Sequence, residues 1–264
     1  MAIIKNHRLE YEVGQIDVTY PKNDKATYFG SVPVIVPNNW TPWLCVKKGD
    51  LISLEGKQYR VLKKFGSIVE VLAMYNASRL QKFDEKTEPT NVYANNSLDV
   101  YLSQAFYNSL STTMKNAIVA KTFQQDEWYW NLEDSAIANY VEIRDSDSII
   151  LSLISMTYGD LISRKCYALS CQDIIDYLEV TTSMTAVNTT LTYTNILKMF
   201  WNQTAPIPGT FDQLWLRSVA QEPGELPEAM TVTTKGDLNC QNVNTALIVR
   251  PAFQIDLSKI DFKE

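Results

Sequence analysis

The chain has 264 residues, 24 of them basic and 30 acidic, for a formal charge of −6. A phosphate backbone must be met by a basic face, so this acidic balance argues against nucleic acid as a partner. The apolar share of 45% suffices for one large core or two small ones, and charged residues at 20% fall short of the usual quarter. That leaves a polar, weakly charged surface of the kind carried by extracellular and virion proteins.

Lys5, His7, Arg8, Glu10, Glu12 and Asp17 occupy the stretch where the apolar heart of a secretory signal would lie. A protein made soluble in a host cytoplasm is therefore expected, reaching any outside role by lysis or on a particle. The longest apolar stretch, around Ile149 to Met156, is too short to span a bilayer, so no membrane insertion is expected. Residues 1–40 contain Pro21, Pro33 and Pro37 between short apolar runs and read as an extended arm with edge strands. Such an arm lies against either a neighbouring subunit or its own domain. Residues 41–264 form the domain itself.

From Leu51 the pattern is a meander: strands at Leu51–Leu54, Tyr59–Leu62 and Ile68–Met74, with glycine turns at Glu55-Gly56 and Phe65-Gly66-Ser67. Lys47, Lys48, Lys57, Lys63 and Lys64 read as the solvated face of these strands. Residues 76–95 read as a polar loop. A helix starts after Asn96 or Ser97, with Asp99 in its first turn and a stripe of Leu98, Leu102 and Phe106 beside Tyr101 and Ala105. Ser111 or Thr112 caps a second helix holding Met114, Ile118 and Val119. A third begins at Ser170 with Asp173 in the capping-box position, and a fourth runs from Thr194 to Trp201. This order suggests an α+β domain whose first and last strands share one sheet. Cys45, Cys166, Cys171 and Cys240 read as reduced thiols, because zinc would need further ligands and His7 is the only histidine. No metal or other cofactor is expected.

Two late segments are the most distinctive, Trp215-Leu216-Arg217-Ser218 and Val249-Arg250-Pro251-Ala252-Phe253, each read as a short apolar strand with one arginine. Arg217 and Arg250 either fasten the loop-rich half to the sheet, together with Trp215 and Pro251, or touch a ligand directly.

With Gly56–Leu62, Asn96–Leu102 and Asp147–Ser152, these segments carry a resemblance. The chain resembles an uncharacterised domain-of-unknown-function family of Gram-positive bacteria and their phages and prophages, over roughly residues 45 to 258. That family is in turn similar to the C-type-lectin-like fold of formylglycine-generating enzymes and of the variable proteins of diversity-generating retroelements. The resemblance implies a C-type-lectin-like domain with N- and C-terminal strands in one sheet, several short helices and long loops. The enzymes of that fold use a cysteine pair near their last strands, where this chain has only Cys240. Calcium-dependent lectins use Glu-Pro-Asn and Trp-Asn-Asp patterns. Glu88-Pro89-Thr90, Glu222-Pro223-Gly224 and Trp130-Asn131-Leu132-Glu133-Asp134 match neither.

No enzyme is expected. The acidic pairs Asp126-Glu127 and Glu133-Asp134 would suit glycoside hydrolysis but read as solvated loop charges. Recognition is the remaining class. Trp128, Tyr129, Trp130 and Asn131 set aromatic rings among polar groups and either bind a ligand or alternate between core and solvent along a strand. Trp201, Asn202 and the loop at 219–229 are the next candidates. The leading expectation is a phage or prophage virion protein that recognises a host surface glycan or protein from a tail or fibre. Its arm would hold it to other virion proteins, as a homo-oligomer on the particle. The alternative is a capsid or tail decoration protein with no receptor.

Overall fold

The computed structural model describes residues 2–4, 45–77, 80–129, 141–144, 149–153, 155–179, 193–203, 213–221 and 227–260. Its strands are β1 (Ala2–Ile4), β2 (Leu51–Leu54), β3 (Lys57–Phe65), β4 (Ile68–Ala73), β5 (Gln81–Lys82), β6 (Ile118–Val119), β7 (Lys121–Tyr129), β8 (Val141–Arg144), β9 (Ile149–Leu153) and β10 (Ser155–Arg164). They continue with β11 (Gln213–Gln221), β12 (Glu228–Thr233), β13 (Leu238–Asn242), β14 (Ala246–Leu247) and β15 (Ala252–Asp256). One sheet has the order β1-β2-β3-β4-β15-β6 and a second the order β10-β7-β11-β12-β13, with β5–β14 and β8–β9 as separate pairs. Four helices and a 3-10 turn at Leu257–Lys259 accompany them among the described residues: α1 over 97–109, α2 (Thr112–Ala117), α3 (Cys171–Leu178) and α4 (Tyr193–Trp201). The fold is mixed α+β.

The meander forms because its turns can. Glu55 (φ 51°) and Gly56 (φ 78°) are both left-handed, as a two-residue hairpin turn between twisted strands requires. The C-terminal strand β15 then pairs antiparallel with β4, Ala252 opposite Leu72 and Ile255 opposite Val69, so the chain's early and late strands share one sheet. Val249, Arg250 and Pro251 are not strand residues, contrary to the reading above. Pro251 has no N–H for a ladder, so pairing starts only at Ala252, while the Pro251 carbonyl accepts from the Ala73 N–H at 2.9 Å.

Trp215–Ser218 lies within β11, which runs parallel to β7 on one side and antiparallel to β12 on the other. Two isolated bridges tie each sheet to a neighbouring segment, Tyr167 with Ala252 of β15 and Leu214 of β11 with Ile248. Buried aromatic rings pack against one another in the core, with Phe83–Trp215 centroids 5.4 Å apart and Phe123–Tyr167 5.3 Å. Such pairs contribute roughly 0.5–1.5 kcal/mol each beyond the area they bury.

The third helix begins as read. The Ser170 side chain accepts from the Asp173 N–H, and the Asp173 carboxylate answers on the Ser170 N–H, a reciprocal capping box. The second helix ends earlier than expected. Ser111 caps it, but β-branched Ile118 and Val119 leave it to form β6 against β15. Residues 76–95 are no mere polar loop, because Phe83, Asp84, Tyr93 and Gln81 are buried there. Pairing of β5 with β14 draws this stretch inward. Among the described residues, no helix is long and apolar enough to cross a membrane. Of the 1–40 arm, the described residues include only β1, paired with β2.

Candidate functional site

Several sequence candidates make polar contacts within the scaffold. Asp126 is not a solvated loop charge; it is buried in β7, an interior strand of the second sheet. Its Oδ2 accepts from Ser218 Oγ at 2.8 Å and from the Gln172 N–H at 3.2 Å. Glu133 and Asp134 lie outside the described residues. Beside Asp126 sits a charge-balanced cluster. Lys121 Nζ donates to Glu70 Oε1 at 2.7 Å and to Asp173 Oδ1 at 2.8 Å, and Tyr167 donates its hydroxyl proton to Glu70 at 2.8 Å. Arg217 Nη1 donates to Asp173 Oδ2 at 2.5 Å and to the Ala168 carbonyl at 2.8 Å, with its guanidinium carbon 4.2 Å from the Phe123 ring centroid. Burial alone would raise the Asp173 carboxyl, but Arg217 and Lys121 outweigh it and hold that group well below the ordinary carboxylate range. One element of the first sheet (β4), two of the second (β7, β11) and α3 are tied here. Among the described residues, only Nε of Arg217 lacks a partner in this cluster.

Arg250 and Arg60 form a second joint, at the C-terminus of α4. Arg250 donates to the Phe200 carbonyl and, from Nε, to Asn76 Oδ1 at 3.1 Å, and its guanidinium lies 5.3 Å from the Trp201 ring centroid. Arg60 donates to the Met199 carbonyl at 3.0 Å, to the Gly49 carbonyl at 2.9 Å and to Asn202 Oδ1 at 2.8 Å. Two cations thus satisfy carbonyls that a helix end leaves open. Burial pulls the Arg250 guanidinium down to about 10. Trp201 and Asn202 are therefore a platform and an acceptor for internal arginines, with Asn202 left-handed (φ 55°) where the helix stops. Trp215 is buried, its indole N–H on the Gln81 carbonyl at 2.8 Å. In β7 the backbones of Trp128 and Tyr129 pair with Ala220 and Gln221 of β11. Trp130 and Asn131 lie outside the described residues.

An open cleft of about 580 Å³ lies along α1, a region the sequence reading left as helix and loop. Its walls include Gln81 of β5, Glu85 and Lys86, Asn95 and Asn96, and the helix residues Ser97, Val100, Tyr101, Gln104, Ala105 and Asn108. The helix is not uniform. Between α-helical turns at Ser97–Val100 and Tyr107–Ser109, Tyr101–Phe106 is a wide π-helical turn, with the Tyr107 N–H reaching back five residues to the Leu102 carbonyl. Leu98, Leu102 and Phe106 are all buried. In a helix of about 3.6 residues per turn, positions four apart drift around the axis; the wide turn keeps all three on the core side. It also leaves Tyr101, Gln104, Ala105 and Asn108 along the cleft.

The cleft is held firmly. Asp84 is buried and accepts from the Ser97 hydroxyl at 3.2 Å and the Thr90 N–H at 3.0 Å. Asp99 accepts a bidentate pair from Arg164 and takes the Asn95 N–H at 2.8 Å, which fixes Asn95 in a left-handed conformation (φ 62°). The hydrogen bond to Asp99 outweighs desolvation and raises the Arg164 guanidinium.

Against this satisfied frame two groups differ. Gln81 is 3% exposed and Asn96 is 0% exposed, and among the described residues neither amide nitrogen has a hydrogen-bond partner. Asn96 Oδ1 is committed to the Asp99 N–H at 2.8 Å as the helix cap, which fixes Nδ2 as the free end. Sequence reasoning found Asn96 as a helix start and missed the donor. The signal lies in the residue type, since an asparagine cap carries an NH2 group that a serine cap does not.

No disulfide joins the four cysteines, and Cys166 and Cys171 are buried. Burial pushes the Cys166 thiol up to about 12 and raises Cys171 as well. Among the described residues no cluster of histidine, cysteine and carboxylate side chains could hold a metal ion.

The profile of a family described as "Domain of unknown function (DUF6273)" matches residues 67–257. The chain belongs to this family. No curated protein and no solved structure matches it. The DUF6273 region takes in every cleft residue and the Glu70–Lys121–Asp173–Arg217 cluster, whereas β2, β3 and Arg60 lie before it.

Proposed function

We propose that this DUF6273 protein is a non-catalytic recognition component of a phage or prophage particle, with the cleft along α1 as the seat of its ligand. The observation that carries the reading is the pair of buried amide groups in the cleft wall, Gln81 and Asn96, left without partners. An unsatisfied buried donor costs roughly 1–3 kcal/mol. Two of them in one cleft, on a frame whose buried carboxylates Asp84 and Asp99 are bonded, fit donors kept for a ligand's acceptors. The buried ion pairs nearby, Lys121 with Glu70 and Asp173, Arg217 with Asp173 and Arg164 with Asp99, are fixed, which suits a scaffold better than a reaction centre.

The particle setting comes from the family resemblance described above. A C-type-lectin-like arrangement is part of the same reading, supported by the early and late strands that share one sheet. The test is adsorption. Particles assembled with Gln81→Met and Asn96→Ser in this protein should adsorb to host cells at least roughly tenfold more slowly, at unchanged particle yield. Unchanged adsorption would contradict the proposal. Loss of particle integrity in its place would favour a decoration protein.

A further inference from the structure

We infer that the cleft takes an uncharged, hydroxyl-rich ligand, a short glycan, whose oxygens accept from Gln81 Nε2 and Asn96 Nδ2 once the side chains that cover these buried donors beside Tyr101 move aside. The inference rests on the reading that the cleft is the binding site, and it specifies the chemistry of what binds. Three observations point the same way.

The first is charge. The cleft's charged residues are one acid and one base, Glu85 and Lys86, and the Lys86 ammonium is 3.9 Å from the buried Asp84 and donates to the Asn95 carbonyl at 3.3 Å. With Lys86 engaged, no cation is left to select an anion, and the lining offers a cation only the single carboxylate of Glu85. The second is the side-chain chemistry. Five of the eleven lining residues are amides: Gln81, Asn95, Asn96, Gln104 and Asn108. An amide offers donors and an acceptor in one plane, and a sugar hydroxyl is likewise both donor and acceptor, so the two pair in either sense. The third is the apolar part, which is confined to Val100, Tyr101 and Ala105 on consecutive turns of α1. That is a narrow strip against which the C–H face of a pyranose can lie, with the tyrosine contributing an aromatic surface and a polar tip. A bound peptide draws specificity from a row of apolar pockets or an added strand, and this lining has no such row.

The test uses the full chain and protein-stripped cell-wall polysaccharide from the host, untreated or mildly oxidised with periodate, which cleaves vicinal diols. Whole cells with and without protease treatment serve as the second probe. The wild-type chain should bind the stripped polysaccharide in low and high salt and in the presence of a calcium chelator. Periodate should lower binding at least roughly tenfold, and Gln81→Met and Asn96→Ser should each do the same without a loss of melting temperature. Binding to cells that survives periodate and is lost on protease treatment would overturn the glycan inference but leave the cleft reading standing, provided the variants still weaken it. Affinity that collapses with salt would overturn the uncharged ligand in favour of an anionic one. Glycan binding indifferent to both substitutions, or no binding to either probe, would overturn the cleft as the site.

Discussion

Replacing Arg217 with methionine removes the charge that joins β11 to α3 while keeping an unbranched side chain in its place. Arg217 donates to Asp173 at 2.5 Å and to the Ala168 carbonyl at 2.8 Å, and it lies 4.2 Å from the Phe123 ring centroid. In the variant Asp173 keeps Lys121 at 2.8 Å, but Lys121 is shared with Glu70 at 2.7 Å. One cation then faces two buried carboxylates. Breaking a buried pair from one side costs about 3–5 kcal/mol, and the uncovered carbonyl falls within that figure. For a chain of this size, about 2–4 °C of melting temperature goes with each kcal/mol. A fall of roughly 10 °C is expected, read by thermal and urea unfolding. Adding Asp173→Asn removes the stranded charge and should recover about 2 kcal/mol of the loss. A single variant within about 1 kcal/mol of wild type, or a double variant no better than the single, would refute the reasoning.

Acid unfolding should report the same cluster. The folded-state carboxyl of Asp173 is held low, so its contribution is present above the unfolded value of about 3.9 and is lost as pH falls below it. Stability should decline below about pH 4, and Asp173→Asn should flatten that limb; an unchanged limb would contradict the assignment. Cys166 and Cys171, buried with raised thiols, should resist a thiol reagent at pH 8 and react on unfolding, whereas rapid native labelling of either would contradict their placement. Gln81→Met removes an unsatisfied buried amide and should leave the protein as stable or about 1 kcal/mol more stable in urea, while a marked loss would show that the amide serves the fold.

What the sequence made legible was local. The left-handed pair at Glu55-Gly56 and the capping box from Ser170 to Asp173 are written in adjacent residues, and both are present. What it hid was long-range. Arg217 and Asp173 are 44 positions apart, and nothing in either neighbourhood names the other. Asp173 fits its capping role so well that a second role in the ionic joint leaves no separate trace. Gln81 reads as one polar residue in a polar loop until β14, far along the chain, pairs with β5 and buries it. Trp201 and Asn202 look like a surface pair because the arginines that use them, Arg250 and Arg60, come from other elements. The apolar stripe of α1 was visible, but the π-helical turn that orients its other face has no sequence pattern of its own.

The most direct test of the cleft is an amide NMR titration. The 15N-labelled full chain is titrated with soluble fragments of host wall polysaccharide, and the side-chain NH2 resonances are followed. The account predicts that the Gln81 and Asn96 NH2 signals shift first and furthest, together with the backbone amides of Tyr101 to Asn108. Shifts confined to the Trp201–Asn202 end of α4, or to the edge of the second sheet, would place the ligand elsewhere and contradict it.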